Sequence, residues 1–293
     1  ELEALYKIGW RAGVFFVDDN FIGNKAKLKK EYLPAIIEWQ KKRNYPFTFN
    51  TQVSINLSDD EELMELMVEA GFTFVFIGIE TPDTDSLEEC GKHQNINRNL
   101  IESVKKIQNI GMEVQGGFIV GFDNDKASIF QRQIEFIQKS GIVTAMVGLL
   151  TALPKTRLYQ RLKEAKRLIK MATNCNNTKT TGLNFIPKMD KNTLISGYKK
   201  VLSTIYAPKA YYERIKTFLR EYKPKKKKAQ RLNMYYFRAF LSSIWYLGIR
   251  QRGRLYYWKL ILWSLLKRPG LFPYAIGFSL TGLHLRALSQ GVY

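Results

Sequence analysis

The chain has 293 residues, 45% of them hydrophobic, enough for one sizeable core and an appended domain. Two cysteines and two histidines exclude a disulfide framework, a cysteine metal motif and a catalytic metal held by several histidines at strand tips. The net charge of +20 is divided unevenly: residues 1–150 carry 16 Lys and Arg against 22 Asp and Glu, residues 151–293 carry 30 against 4, and nothing acidic follows Glu221.

In chain order, "ELEALYKIG" reads as a helix feeding a first strand, "VFFVDDNF" (14–21), in which apolar residues run straight into Asp18, Asp19 and Asn20. A strand this apolar is buried on both faces, as in a parallel sheet. The pattern recurs in "FTFNTQV" (47–53), ending at Thr51 and Gln52, and in "FTFVFIGIE" (72–80), ending at Gly78, Ile79 and Glu80. It recurs again in "EVQGGFIVGFDND" (113–125), closing on Gly121, Phe122 and Asp123, and in "IVTAMVGLLTALP" (142–154). Between the runs lie helical segments. "SDDEELMELMVEAG" opens with Ser58 and Glu61 at capping-box spacing; "NRNLIESVKKIQNIG" and "KASIFQRQIEFIQKSG", like it, stop at a glycine.

Strand and helix alternating in units of roughly 30 residues argue for a parallel α/β fold. The fold class expected is a partial parallel (β/α)6-type barrel followed by an all-helical C-terminal domain. In such barrels the loops at the carboxyl ends of the strands carry the site, so the polar tips either face a shared ligand or cap the helices that follow. The composition changes near residues 154–170, giving three regions: a barrel over 1–170, helices over 171–222, and a basic, aromatic tail over 223–293. "MDKNTLISGYKKVLSTIY" and "PKAYYERIKTFLREYKP" are amphipathic helices, "PKKKKAQR" is a basic linker, and three aromatic helical stretches follow.

Clustered basic charge beside aromatic and aliphatic residues is the composition of a helix lying on an anionic membrane. An ordinary helical domain with a solvated basic rim and a nucleic-acid surface are the competing readings, the last opposed by aromatics that cluster apart from the basic run. The uncharged stretch 269–285, interrupted by Pro273, Gly277 and Gly282, falls short of the ~20 apolar residues of a span. Cys90 and Cys175 stand apart and suit a reducing compartment. A cytoplasmic location, peripheral at the inner face of the membrane, is the expectation, with Cys90 packing at a helix end. His93 and His284 lie at no strand tip, and "GGFIVGF" puts its glycines in and at the end of a strand, unlike a dinucleotide-binding G-x-G-x-x-G that opens a helix. Glycine inside a strand instead lets a flat ligand approach the backbone.

The ordered set "VFFVDDNF", "LMELMVEAGFTFVFIGIET", "GMEVQGGFIVGFDND" and "LLTALPKTRLY" resembles the radical S-adenosylmethionine (SAM) enzymes, most closely the cobalamin-dependent class, up to about Ile169. The segment that follows resembles the helical C-terminal domain of the subgroup that includes hopanoid methylases. The resemblance implies a [4Fe–4S] cluster, SAM, cobalamin, an electron donor, and a 5′-deoxyadenosyl radical that attacks an unactivated carbon of a small-molecule or lipid-like substrate, methylating it or modifying it in a related way. By the same resemblance, Gly78 and Glu80 contact the ribose or methionine part of SAM, and Gln52 with Thr51 faces the same ligand. Gly116, Gly117, Ile119 and Gly121 match the "GxIxG" strand beside adenine, and Leu153 and Pro154 the last strand edge. Asp18 and Asp19 complete the set of tips. Pro154-Lys155-Thr156-Arg157 departs from the family's Pro-Gly-Thr-Pro. The Cys-x3-Cys-x2-Cys loop, the first barrel strand and the cobalamin domain are absent from the sequence, which therefore reads as the C-terminal part of a longer enzyme. The alternative is a degenerate, non-catalytic barrel that binds membrane or nucleic acid.

Overall fold

The computed structural model describes residues 1–169, 183–224 and 234–291. Cys175, the boundary expected at 170/171 and the basic run Lys225–Lys228 lie outside the described residues.

Helix α1 (Leu2–Lys7) leads into β1 (Gly13–Phe16). A short α2 (Lys25–Lys27) continues through a wide turn into α3 (Leu33–Lys42), then β2 (Thr48–Gln52), α4 (Glu61–Ala70), β3 (Phe72–Glu80) and α5 (Thr84–Glu89). Next come α6 (Leu100–Ile110), β4 (Glu113–Val120), α7 (Ile129–Ser140), β5 (Ala145–Leu149) and α8 (Arg157–Glu164). The five strands form one parallel sheet in the order β1-β2-β3-β4-β5. A parallel strand must be followed by a crossover before the next can pair, and the helices supply it. The expected partial barrel is therefore present.

Alternation along the strands decides what each face does. Phe49, Thr51, Val53, Val75, Ile77, Ile79, Val114, Phe118 and Val120 are buried under the helices. Phe16, Phe21, Phe49 and Phe72 pack ring against ring there, with centroids 5.1–5.5 Å apart. The opposite, concave face is half-exposed. Gln40, buried on α3, donates to the carbonyls of Phe47 (2.9 Å) and Ala70 (3.1 Å), tying β2 to the end of α4. Helices α4, α6 and α7 each end at a glycine in the left-handed region, Gly71, Gly111 and Gly141, as their sequences require.

Two local expectations are corrected. Ser58 does not cap α4: residues Ile55–Asp59 form a 3-10 turn that moves the helix start on by two residues, and Asp60 accepts from the Leu63 amide at 3.1 Å. The glycines of 269–285 do not interrupt a helix either. Pro273 sits in the first turn of α13 (Phe272–Gln290), and Gly282 lies where a Cβ would come within 2.1 Å of the Tyr211 ring. Glycine there is a packing requirement. Among the described residues no helix is long and apolar enough to cross a membrane.

Helices α9 (Lys191–Ile205), α10 (Pro208–Glu221), α11 (Met234–Ser243), α12 (Arg254–Lys267) and α13 form the helical region. Polar bonds lock it to the barrel. The Tyr206 hydroxyl donates to the Ala145 carbonyl on β5 (2.5 Å), and the Tyr222 hydroxyl to that of Gly111 (3.1 Å). Arg214, fully buried, donates to Gln138 Oε1 (2.6 Å) and to the carbonyls of Ile205 (2.8 Å) and Val143 (3.2 Å). Burial alone pushes its guanidinium pKa down, and the facing tyrosines oppose this.

Candidate functional site

The site is built on the concave face, toward the carboxyl ends of the strands. Register places Gln52 beside Phe76, Phe76 beside Gln115, Gly78 beside Gly117, Gly117 beside Met146 and Ile119 beside Gly148. Gly78, Gly117 and Gly148 therefore lie on adjacent strands of one face, Gly78 beneath the Glu80–Lys92 pair, Gly117 beneath the Phe76 ring, and Gly148 with open space where a Cβ would stand. Gly117 is close to obligatory: a Cβ would lie 2.8 Å from the Phe76 ring and 3.8 Å from the Gly78 Cα.

At the end of β3 the register slips between Gly78 and Glu80, and Glu80 takes a left-handed backbone, φ +64°. Few non-glycine residues adopt that region, and they cluster where the surroundings enforce it. Here two buried carboxamides do so. Asn95 donates to the carbonyls of Gly78 (3.3 Å) and Ile79 (3.0 Å), and Gln133 to those of Ile119 (2.7 Å) and Glu80 (3.5 Å). The twist folds the Glu80 side chain back over the strand. A Cβ on Gly78 would sit 2.5 Å from Glu80 Oε1 and 2.9 Å from Lys92 Nζ. Lys92 pairs with Glu80 at 2.9 Å, and the Glu80 side chain is only 15% exposed. Capping is not its role, since Asp83 caps α5 by accepting from the Ser86 amide.

Of the twelve candidates, Gln52, Gly78, Glu80, Gly117 and Ile119 share this face. Thr51 does not: strand alternation turns it the other way, and its buried hydroxyl donates to the Phe16 carbonyl at 3.0 Å. Gly116 also faces the helices, where a Cβ would meet the Phe118 ring at 2.8 Å. Gly121 is a turn residue, φ +108°, its amide donating to buried Asp125 (2.8 Å). Asp125 also accepts from the Phe122 amide and the Ser86 hydroxyl, and burial raises its carboxyl above the usual range. Asp123 is taken up by a two-pronged pair with Arg167 (2.7 and 2.8 Å), which holds its carboxyl low. The β4 tip is thus polar for its own folding.

Asp18 and Asp19 are exposed in the loop after β1, away from any cap; Asn20 accepts from the Ser54 amide at 3.1 Å and ties that loop to the β2 tip. Leu153 and Pro154 are exposed in the loop after β5. The next residue, Lys155, holds φ +69°, so the lysine keeps the backbone conformation that glycine adopts without strain. Cys90 caps the end of α5, its thiol donating to the Leu87 carbonyl at 3.4 Å. Sequence reasoning missed Lys92, Asn95 and Gln133. Only the first carried a signal, a lone cation among the acidic residues that follow β3.

Residues 1–137 match the Radical SAM superfamily, and residues 156–293 match a domain of unknown function, DUF4070, which corresponds to the helical region. Residues 1–137 are a radical SAM domain. The chain is 40% identical over 278 residues to an uncharacterized methyltransferase of Synechocystis sp., covering 94% of this chain and 52% of that protein. It is 32% identical over 274 residues to the hopanoid C-2 methylase of Rhodopseudomonas palustris, covering 91% and 50%. It is 28% identical over 152 residues to a bacteriochlorophyllide d C-12(1)-methyltransferase of Chlorobaculum tepidum, covering 52% and 32%. In fold it matches the radical SAM methyltransferase TsrM of Kitasatospora setae, solved with cobalamin and a [4Fe-4S] cluster, with a TM-score of 0.51 at 13% identity, over 98% of this chain and 55% of that one. The chain spans about half the length of the curated relatives it matches.

These residues fit SAM and do not fit the cluster. The Glu80 carboxylate, held by Lys92 at the tip of β3, suits a ribose or ammonium group. A [4Fe–4S] cluster takes its ligands from thiolates, the sequence has two cysteines, and no group of three or more metal-binding side chains occurs among the described residues.

Proposed function

We propose that the protein carrying this chain is a cobalamin-dependent radical SAM methyltransferase that modifies an unactivated carbon of a lipid-like substrate. The observation that carries the reading is Glu80, turned back over Gly78 by its left-handed backbone and held there by Lys92. In this class SAM supplies the hydrogen-abstracting adenosyl group and cobalamin the methyl group. The chain's own residues bind and orient. Glu80 accepts hydrogen bonds from ribose hydroxyls or an ammonium group, Lys92 fixes its carboxylate, Gly78 makes room for that pair, and Ile119 gives the ligand an apolar neighbour. The cluster's thiolates come from outside these 293 residues. The hopanoid and bacteriochlorophyllide relatives support methylation of a carbon and a hydrophobic substrate.

Charge-assisted bonds to a partly buried carboxylate are worth roughly 1.5–3 kcal/mol. Glu80→Ala is therefore expected to weaken SAM binding, read by calorimetry on the intact protein, by about 10-fold or more while the fold survives. Unchanged affinity overturns the assignment. The second reading, a non-catalytic module, draws on the cysteine count and expects no SAM binding at all.

A further inference from the structure

The outward surface of α12 is the least explained part of the molecule. Its inner side buries Tyr257, Leu260, Ile261 and Ser264 against the rest of the helical region. Leu255, Leu262 and Leu266, spaced by seven and four residues and so on one face of the helix, are 69%, 57% and 80% exposed. The turn Ile244–Arg250, joined to α12 by the Trp258 indole donating to the Gly248 carbonyl at 3.0 Å, exposes Trp245 and Ile249 at 57% and 51%. Scattered exposed apolar residues are ordinary; an aliphatic stripe along a helix is not.

Around these residues the charge has one sign. Arg250, Arg252, Arg254, Lys259 and Lys267 are exposed, and none forms an ion pair among the described residues. No carboxylate follows Glu221 to neutralise them. A protein partner of matching shape would have to be acidic along this whole surface. A nucleic acid would use the cations and stack on Trp245, but would leave the three leucines in water. An anionic lipid surface accepts both at once, aliphatic side chains below the headgroups and cations among the phosphates. No described helix is long and apolar enough to cross, so the helix lies along the surface.

We infer that α12 and the Ile244–Arg250 turn dock the protein on an anionic bilayer, with Leu255, Leu262 and Leu266 entering the headgroup boundary and the flanking Arg and Lys residues holding lipid phosphates. The inference does not rest on the radical chemistry.

The test is co-sedimentation of the intact protein with phosphatidylcholine vesicles, with and without phosphatidylglycerol, at low and high salt. Binding is expected only to the phosphatidylglycerol vesicles and weakens with salt, because exposed charges are screened beyond about 8 Å at physiological ionic strength. Leu262→Glu with Leu266→Glu, both at exposed positions, should lower partitioning at least about 10-fold with the circular dichroism and SAM affinity unchanged. Replacing Arg250, Arg252 and Arg254 by Gln should flatten the salt dependence. Ile8→Glu, exposed on the barrel side, should change nothing. The inference is overturned if anionic vesicles fail to pellet the protein or if the leucine variant pellets equally. It is equally overturned if that variant instead disperses a dimer seen by light scattering, or if nucleic acid captures the tail while vesicles do not.

Discussion

Gly78 shows how a single missing methyl group can shape a site. The space its Cβ would fill holds the Glu80 carboxylate and the Lys92 ammonium, so Gly78→Ala must push both off the strand. SAM affinity should fall about 10-fold, a cost of about 1.4 kcal/mol, while the melting temperature moves by no more than about 4 °C. Equal affinity would mean that Glu80 does not touch the ligand from where it stands. Glu113, at the first position of β4, makes a different forecast. Burial pushes its carboxyl up to about 7, against two weak acceptor contacts, from Gln115 Nε2 and Thr144 Oγ1 at 3.4 Å each. The folded state thus holds the proton more tightly than the unfolded one. The stability this gives is complete below about pH 4.5 and is lost as pH rises through about 7. Because the side chain is only half-buried, the loss should be about 2 kcal/mol. Glu113→Gln should remove the slope, read as melting temperature against pH.

Much of the barrel was legible in the sequence. Apolar runs ending at polar tips, with helices stopping at glycine, were enough for all five strands and their parallel order, since period and punctuation are local properties. The face of each tip was less well read. Thr51 and Gln52 are adjacent on a strand and cannot both face one ligand, a point that alternation alone could have made; Gly116 and Gly117 are the same case. The reversal at Glu80 was beyond reach, because it depends on Asn95 and Gln133, 15 and 53 residues away in the chain. The boundary elements are also where stability should be most sensitive. Arg214 joins α10 to α7 through Gln138, to the residues before β5 through Val143 and to the end of α9 through Ile205. Arg214→Met leaves those acceptors buried without donors and should cost about 3 kcal/mol by denaturant unfolding, while Tyr206→Phe, losing one bond to Ala145, should cost about 1 kcal/mol. Equal small effects would mean that the helical region holds to the barrel by apolar packing alone.

Over the whole molecule the acidic barrel and the basic helices behave as one body. Besides the Tyr206, Tyr222 and Arg214 bonds, Lys105 on α6 pairs with Glu221 at the end of α10 (2.7 Å). Arg268 reaches back to the carbonyls of Arg220 and Tyr222 at 2.6 Å each, so the tail helices close over the end of α10. Calorimetry should show a single unfolding transition, and two separated transitions would refute that coupling.

The sheet order has one further consequence. Among the described residues β1 has a single neighbour, β2, so its other side presents amide and carbonyl groups to which another strand can add. Phe15 within it and Val17 just past its end are 48% and 77% exposed, and no Pro or Lys interrupts the strand. Natural sheets blunt such edges because they seed self-association. In isolation the 293-residue chain should therefore assemble into concentration-dependent oligomers through β1. Lysine at position 17 should raise its solubility limit without altering the folded monomer.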